Sequence, residues 1–125
     1  MIYFDSAATT YPKPASVRSA AADAIVRYGG NPGRSGHKLS ISASSAVYSV
    51  REKAAQMFGA EPQNVVFTSN CTHSINIAVK GIAEEALREK RDFHVIISNL
   101  EHNSVVRPVY EMTKRGLTYS IAEVH

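Results

Sequence analysis

The chain has 125 residues, 44% hydrophobic and 20% charged, which suits one soluble globular domain and leaves no room for two of ordinary size. A net charge of +3, with basic residues spread along the chain apart from Arg88, Lys90 and Arg91, gives little ground for nucleic-acid binding. No apolar run approaches the roughly 18–20 residues of a membrane span, the first residues have no leader pattern, and the lone Cys71 cannot form an internal disulfide, so a cytoplasmic protein without membrane contact is expected.

In chain order, Ser16 reads as an N-cap, followed by an apolar stripe of Val17, Ala20, Ala21, Ala24, Ile25 and Tyr28, predicting a helix that stops at Gly29-Gly30. Residues 29–36 hold four glycines and a proline and must form a loop. A second helix is predicted over about 40–58, with Val47, Val50, Ala54, Met57 and Phe58 inward and Gly59 as its stop. A strand follows at 65–68, then a helix over about 74–89 with Ile75, Ala78, Val79, Ile82 and Ala86 on one side. A strand at 94–98, a helix over about 103–115 and a strand at 117–121 complete the pattern. Alternating strands and helices with short connections predict an α/β fold, a mostly parallel sheet with flanking helices. The continuous runs Val65-Val66-Phe67 and Val95-Ile96-Ile97 predict strands buried on both faces. Three such strands would leave open edges and one poorly covered face, which reads as part of a larger domain or a chain that needs a partner.

Ligands of parallel sheets bind beyond the carboxyl ends of the strands. Residues 69–72 and 99–103 lie there. The first loop passes from strand to helix through Ser69-Asn70-Cys71-Thr72, which offers unpaired amides and hydroxyls to an anion, most often a phosphate. Ser and Thr are also ordinary helix caps, so the turn alone favours a helix start that binds nothing, and the other segments change that balance. The second loop brings His102, the side-chain type that titrates nearest neutral pH. The five histidines show no i, i+4 or His-x-His spacing, and no metal site is expected.

Four strings, in order, carry a resemblance: Tyr3-Phe4-Asp5-Ser6-Ala7-Ala8-Thr9-Thr10-Tyr11-Pro12-Lys13-Pro14, Gly30-Asn31-Pro32-Gly33-Arg34-Ser35-Gly36-His37, Val66-Phe67-Thr68-Ser69-Asn70-Cys71-Thr72 and Ser98-Asn99-Leu100-Glu101-His102-Asn103-Ser104. Together they resemble the N-terminal part of the cysteine desulfurases, in the class V aminotransferase group of pyridoxal 5'-phosphate (PLP) enzymes. The resemblance implies the type I aminotransferase fold, with residues 1–125 forming the N-terminal segment and first part of the PLP-binding large domain. It implies that Asn70, Cys71 and Thr72 hold the cofactor phosphate and that His102 stacks on the pyridine ring and assists proton transfer. Ala7, Ala8 and Arg34 would lie near the substrate. In such enzymes PLP serves as an electron sink, and a mobile cysteine takes the sulfur of L-cysteine as a persulfide, leaving alanine. A homodimer, a sulfur-acceptor protein and a role in iron-sulfur cluster assembly are implied for the intact enzyme.

The departures are specific. Asn70-Cys71-Thr72-His73 stands where the family often has Gly-Ala-Thr-Glu, and Cys71 reads as a small side chain beside the phosphate. Ser35-Gly36-His37-Lys38 mimics the string around the PLP lysine of some relatives but sits in the glycine-rich loop, so Lys38 does not read as that lysine. The cofactor's lysine, its aspartate and the persulfide cysteine find no match, and the chain alone is expected to be inactive. Two other readings stay open: a non-catalytic module that keeps the phosphate cup, and another class V enzyme such as a selenocysteine lyase, kynureninase or aminotransferase.

Overall fold

The computed structural model describes residues 2–34 and 36–125, so Ser35 of the glycine-rich string lies outside the described residues. The chain divides into two compact units, residues 1–66 and 67–125.

In the first unit, Tyr3 hydroxyl donates to the carbonyls of Asp5 (3.2 Å) and Thr9 (3.0 Å), closing a turn through Ala7 and Ala8. Helix α1 (Ala15–Arg27) starts one residue before the expected cap. Pro14, with φ fixed at −52°, is the last non-helical residue, and its carbonyl receives the amides of Val17 and Arg18, which makes Ser16 the second helical residue rather than the cap. None of α1 is buried, contrary to its apolar stripe: Ile25 is 81% exposed. Periodicity selects the face a helix would bury, but burial also requires an element to cover it.

Helix α2 (Lys38–Phe58) begins earlier than expected because His37 caps it, Nδ1 accepting the Ser40 amide at 3.2 Å. It ends as predicted at Gly59, which adopts the left-handed conformation (φ +63°), while the Ala60 amide returns to the Ala55 carbonyl. Its buried residues are Ser40, Ala43 and Ala55; Ala54 is half-buried, and the predicted inner residues Val47, Val50, Met57 and Phe58 are exposed. At the start of the helix the glycine-rich loop lies against it. Ser40 hydroxyl donates to the Asn31 carbonyl (2.7 Å), and the Gly33 amide donates to the Ser44 hydroxyl (3.1 Å). A Cβ on Gly30 would sit 2.4–2.6 Å from the backbone of Leu39 and Ser40, so only glycine permits this approach.

Beyond a 3-10 turn (Pro62–Asn64), Val65 is extended, but residues 65–68 form no strand among the described residues. The Val65 carbonyl accepts from the Arg51 guanidinium at 2.6 Å instead of from a neighbouring strand. Extended conformation comes from β-branched side chains, whereas a strand requires a paired backbone.

The second unit is a helix–strand–helix–strand arrangement: α3 (Cys71–Arg88), β1 (His94–Ser98), α4 (Asn103–Thr113) and β2 (Thr118–Ala122). β1 and β2 pair in parallel, His94 opposite Thr118 through Ser98 opposite Ala122, so the sheet has two strands rather than three. α3 starts at Cys71, three residues before the expected position, because Asn70 is its cap. A core of Ala83, Ile97, Val109, Met112 and Leu117 joins α3 and α4 to one face of the sheet. The expectation of strands buried on both faces fails: Ile97 is 8% exposed and its neighbour Ile96 71%. Alternate side chains point to opposite faces, and the helices of this unit cover only one.

Two ion pairs tie α3 to the α4 region, Lys80 to Glu111 (2.7 Å) and Arg115 to Glu84 (2.6 Å). The hydrogen bond from Lys80, and then its charge, lower the Glu111 carboxyl below its usual range, with Lys114 and Arg115 adding and desolvation opposing. The carboxyl is lowered on folding, so its stabilisation is present above the ordinary carboxylate value and is lost as pH falls through the lowered one. A carboxyl-carbon NMR titration should return Glu111 toward its ordinary value in Lys80→Met; an unchanged titration would assign the shift elsewhere. In the first unit, Gly30→Ala should lower the urea midpoint by the equivalent of about 1–3 kcal/mol. Gly29→Ala, where an added Cβ meets nothing within 4 Å, should not show this overpacking penalty.

Candidate functional site

Short connections fix which ends of the second unit meet. The chain leaves α3 at Arg88 and enters β1 at His94, leaves β1 at Ser98 and enters α4 at Asn103. The N-termini of α3 and α4 therefore lie toward the carboxyl ends of the strands, as ligand sites of such sheets require. A cleft of about 340 Å³ at the opposite end, lined by Leu87, Phe93 and Leu117 among others, is remote from these residues.

At the start of α3, Asn70 is extended and its Oδ1 accepts the His73 amide at 2.9 Å, while its carbonyl accepts the Ser74 amide at 3.1 Å. The amides of Cys71 and Thr72 are left without an acceptor among the described residues. Thr68 hydroxyl bonds the Ser74 hydroxyl at 2.5 Å and the Asn70 carbonyl at 2.9 Å, bracing the turn from behind. The first turn of α3 carries no acidic residue, and Cys71 is an exposed free thiol. Unpaired amides at the positive end of a helix, with no carboxylate to neutralise them, suit an anion. This donor set fits the phosphate of PLP. Asn70 shapes the turn, with its side-chain oxygen committed to the cap.

At the end of β1, Glu101 turns back to accept from the Ser98 hydroxyl (2.9 Å) and amide (3.4 Å). Asn99 bridges to the segment after β2, donating to Glu123 Oε2 (2.7 Å) and accepting the Val124 amide (3.0 Å). His102 caps α4, with Nδ1 accepting the Ser104 amide at 3.1 Å and lying 3.0 Å from the Ser104 hydroxyl. Reading the sequence alone did not single out Ser98, Asn99, Glu101 or Ser104 individually. The Ser98-x-x-Glu101 spacing was an available signal, since that pattern is common at helix starts.

Asn70, Cys71, Thr72 and His102 thus share one end of the second unit. Ala7, Ala8 and Arg34 belong to the first unit: the two alanines are exposed in their turn, and Arg34 is exposed with no ion-pair partner among the described residues. Lys38 is the first residue of α2, directly after its cap. Among the described residues no group of three or more His, Cys, Asp or Glu side chains could hold a metal ion, and no helix is long and apolar enough to cross a membrane.

The sequence pattern of the class-V aminotransferases matches residues 2–125. The chain belongs to the class-V aminotransferase family. It is 39% identical to the mitochondrial cysteine desulfurase of Drosophila melanogaster over 92% of this chain and 24% of that protein. Its fold matches a solved NIFS-like protein with a TM-score of 0.84 at 32% identity, covering 96% of this chain and 32% of the other. It also matches a structure described as SspA in complex with cysteine, with a TM-score of 0.82 at 30% identity, covering 97% of this chain and 34% of the other. The chain spans between a quarter and a third of the length of these relatives. The fold is therefore that of the corresponding part of these proteins, α/β with a parallel sheet in the second unit. Cysteine desulfurases and class-V aminotransferases are, as families, generally PLP-dependent.

His102→Ala removes a cap and leaves the buried Ser104 hydroxyl unpaired. Thermal or urea unfolding should show a loss of about 2 kcal/mol or more. Cys71→Ala, at an exposed position, should stay within about 0.5 kcal/mol.

Proposed function

We propose that residues 1–125 form the N-terminal segment and first part of the PLP-binding large domain of a cysteine desulfurase-like enzyme, which converts L-cysteine to L-alanine with transfer of sulfur. The observation that carries this reading is the pair of unpartnered amides, Cys71 and Thr72, at an acid-free helix start on the same strand end as His102. The amides and the Thr72 hydroxyl hold the cofactor phosphate, Asn70 keeps the turn in shape, and Cys71 supplies a small side chain that lets the anion approach. His102 stands at the neighbouring strand end to meet the ring and assist proton transfer. When bound, PLP supplies an electron sink for chemistry at the amino-acid substrate. The Ala7-Ala8 turn and Arg34 lie near the substrate pocket, with Arg34 facing a site across the dimer interface.

The same reading carries a homodimer and a sulfur-accepting protein as partners, with iron-sulfur cluster assembly as the process served; similarity to desulfurases supports these. A lone exposed thiol is consistent with a reducing compartment such as the cytoplasm.

Phosphorus-31 NMR titration tests the cup directly. PLP should bind and pyridoxal, which lacks the phosphate, should not compete. Asn70→Asp keeps the capping oxygen but adds a negative charge beside the cup. It should leave α3 folded and weaken PLP binding about tenfold or more. Equal binding of pyridoxal and PLP, or no effect of Asn70→Asp, would remove the basis for this reading.

A further inference from the structure

His102 is held from one side of its ring. The Ser104 amide donates to Nδ1, and the Ser104 hydroxyl reaches the same nitrogen. A backbone amide can only donate, so Nδ1 bears a lone pair and the neutral ring carries its proton on Nε2. With Nδ1 unprotonated, the Ser104 hydroxyl must also be the donor in its own contact. Ser104 is 7% exposed, and its hydroxyl has no other partner among the described residues. Exchanging the two ring nitrogens would turn the Ser104 hydroxyl from donor to acceptor and leave a helix-end amide facing an N–H, without an acceptor. His37 provides a contrast within the same chain. It caps α2 through Nδ1 as well, but Ser40 donates its hydroxyl to the Asn31 carbonyl, so among the described residues a single donor meets that ring.

We propose that Ser104 is a positioning residue for His102: its two donors lock the Nε2–H tautomer and hold the ring against α4, so that the neutral imidazole presents an N–H donor at the strand end. Nε2 has no partner among the described residues and is the nitrogen left to meet a bound molecule. In this state His102 can donate a hydrogen bond from Nε2 but cannot accept one there. The functional consequence rests on the reading of His102 given under Proposed function; the tautomer does not.

Nitrogen-15 NMR of the labelled protein without cofactor tests it. The expected result is a proton on Nε2 and a scalar coupling across the hydrogen bond between the Ser104 amide nitrogen and His102 Nδ1. In Ser104→Ala the Nδ1 resonance should move toward that of a bare lone pair as one of two donors is lost, and Ser104→Thr should restore it. A merely structural serine would leave the ring nitrogen unmoved. A protonated Nδ1 in the unsubstituted protein, a missing coupling, or an unmoved Nδ1 resonance in Ser104→Ala overturns the proposal. If the tautomer is as stated but PLP fails to bind, the positioning role stands and the cofactor reading falls.

Discussion

The first turn of every α-helix presents amides that the helix cannot satisfy, and the second unit is organised around how that shortage is met. Asn70 meets it partly, by taking the His73 amide and leaving those of Cys71 and Thr72 open. His102 meets it at α4 with a ring nitrogen that accepts the Ser104 amide. One cap thus creates an electropositive opening, and the other fixes which face of an imidazole is offered. Both are local events, each within three residues of sequence, yet together they define the chemistry available at this end of the sheet.

Parallel pairing brings these two helix starts to the same end. Two parallel strands must be joined by a crossover, and here α4 provides it between β1 and β2, as α3 leads into β1. Short connections leave no freedom to invert either helix. The core that holds the arrangement is small and one-sided, with Ile97, Val109, Met112 and Leu117 inside and Ile96 on the uncovered face. Lys80–Glu111 and Arg115–Glu84 add staples at the helix surface, exposed enough that packing rather than charge carries most of the stability.

Much of the secondary structure was legible in the residues because it depends on near neighbours. The strand at 94–98 and the Gly59 stop follow from β-branched runs and left-handed geometry, and both stand as read. Helix starts were displaced where the cap was not the expected serine: His37 and Asn70 do the work at α2 and α3, and proline sets the start of α1. Burial was read least well. The stripe on α1 and the apolar face of α2 are formed as helix faces, but in α2 small residues are covered instead, and at its start the glycine-rich loop comes close because Gly30 has no side chain to intervene. Residues 65–68 show the same limit for strands: a β-branched run is local and the pairing that makes it a strand is not.

By itself the sequence determined the element types, the family strings and the two loops that bear the candidate chemistry, since propensity, capping residues and motif spacing are encoded along the chain. Only the tertiary structure decided which amides remain open, which nitrogen of His102 carries the proton and which apolar faces are covered. Those outcomes depend on partners brought together by folding, at distances of about 3 Å where a single hydrogen bond changes what a side chain can do.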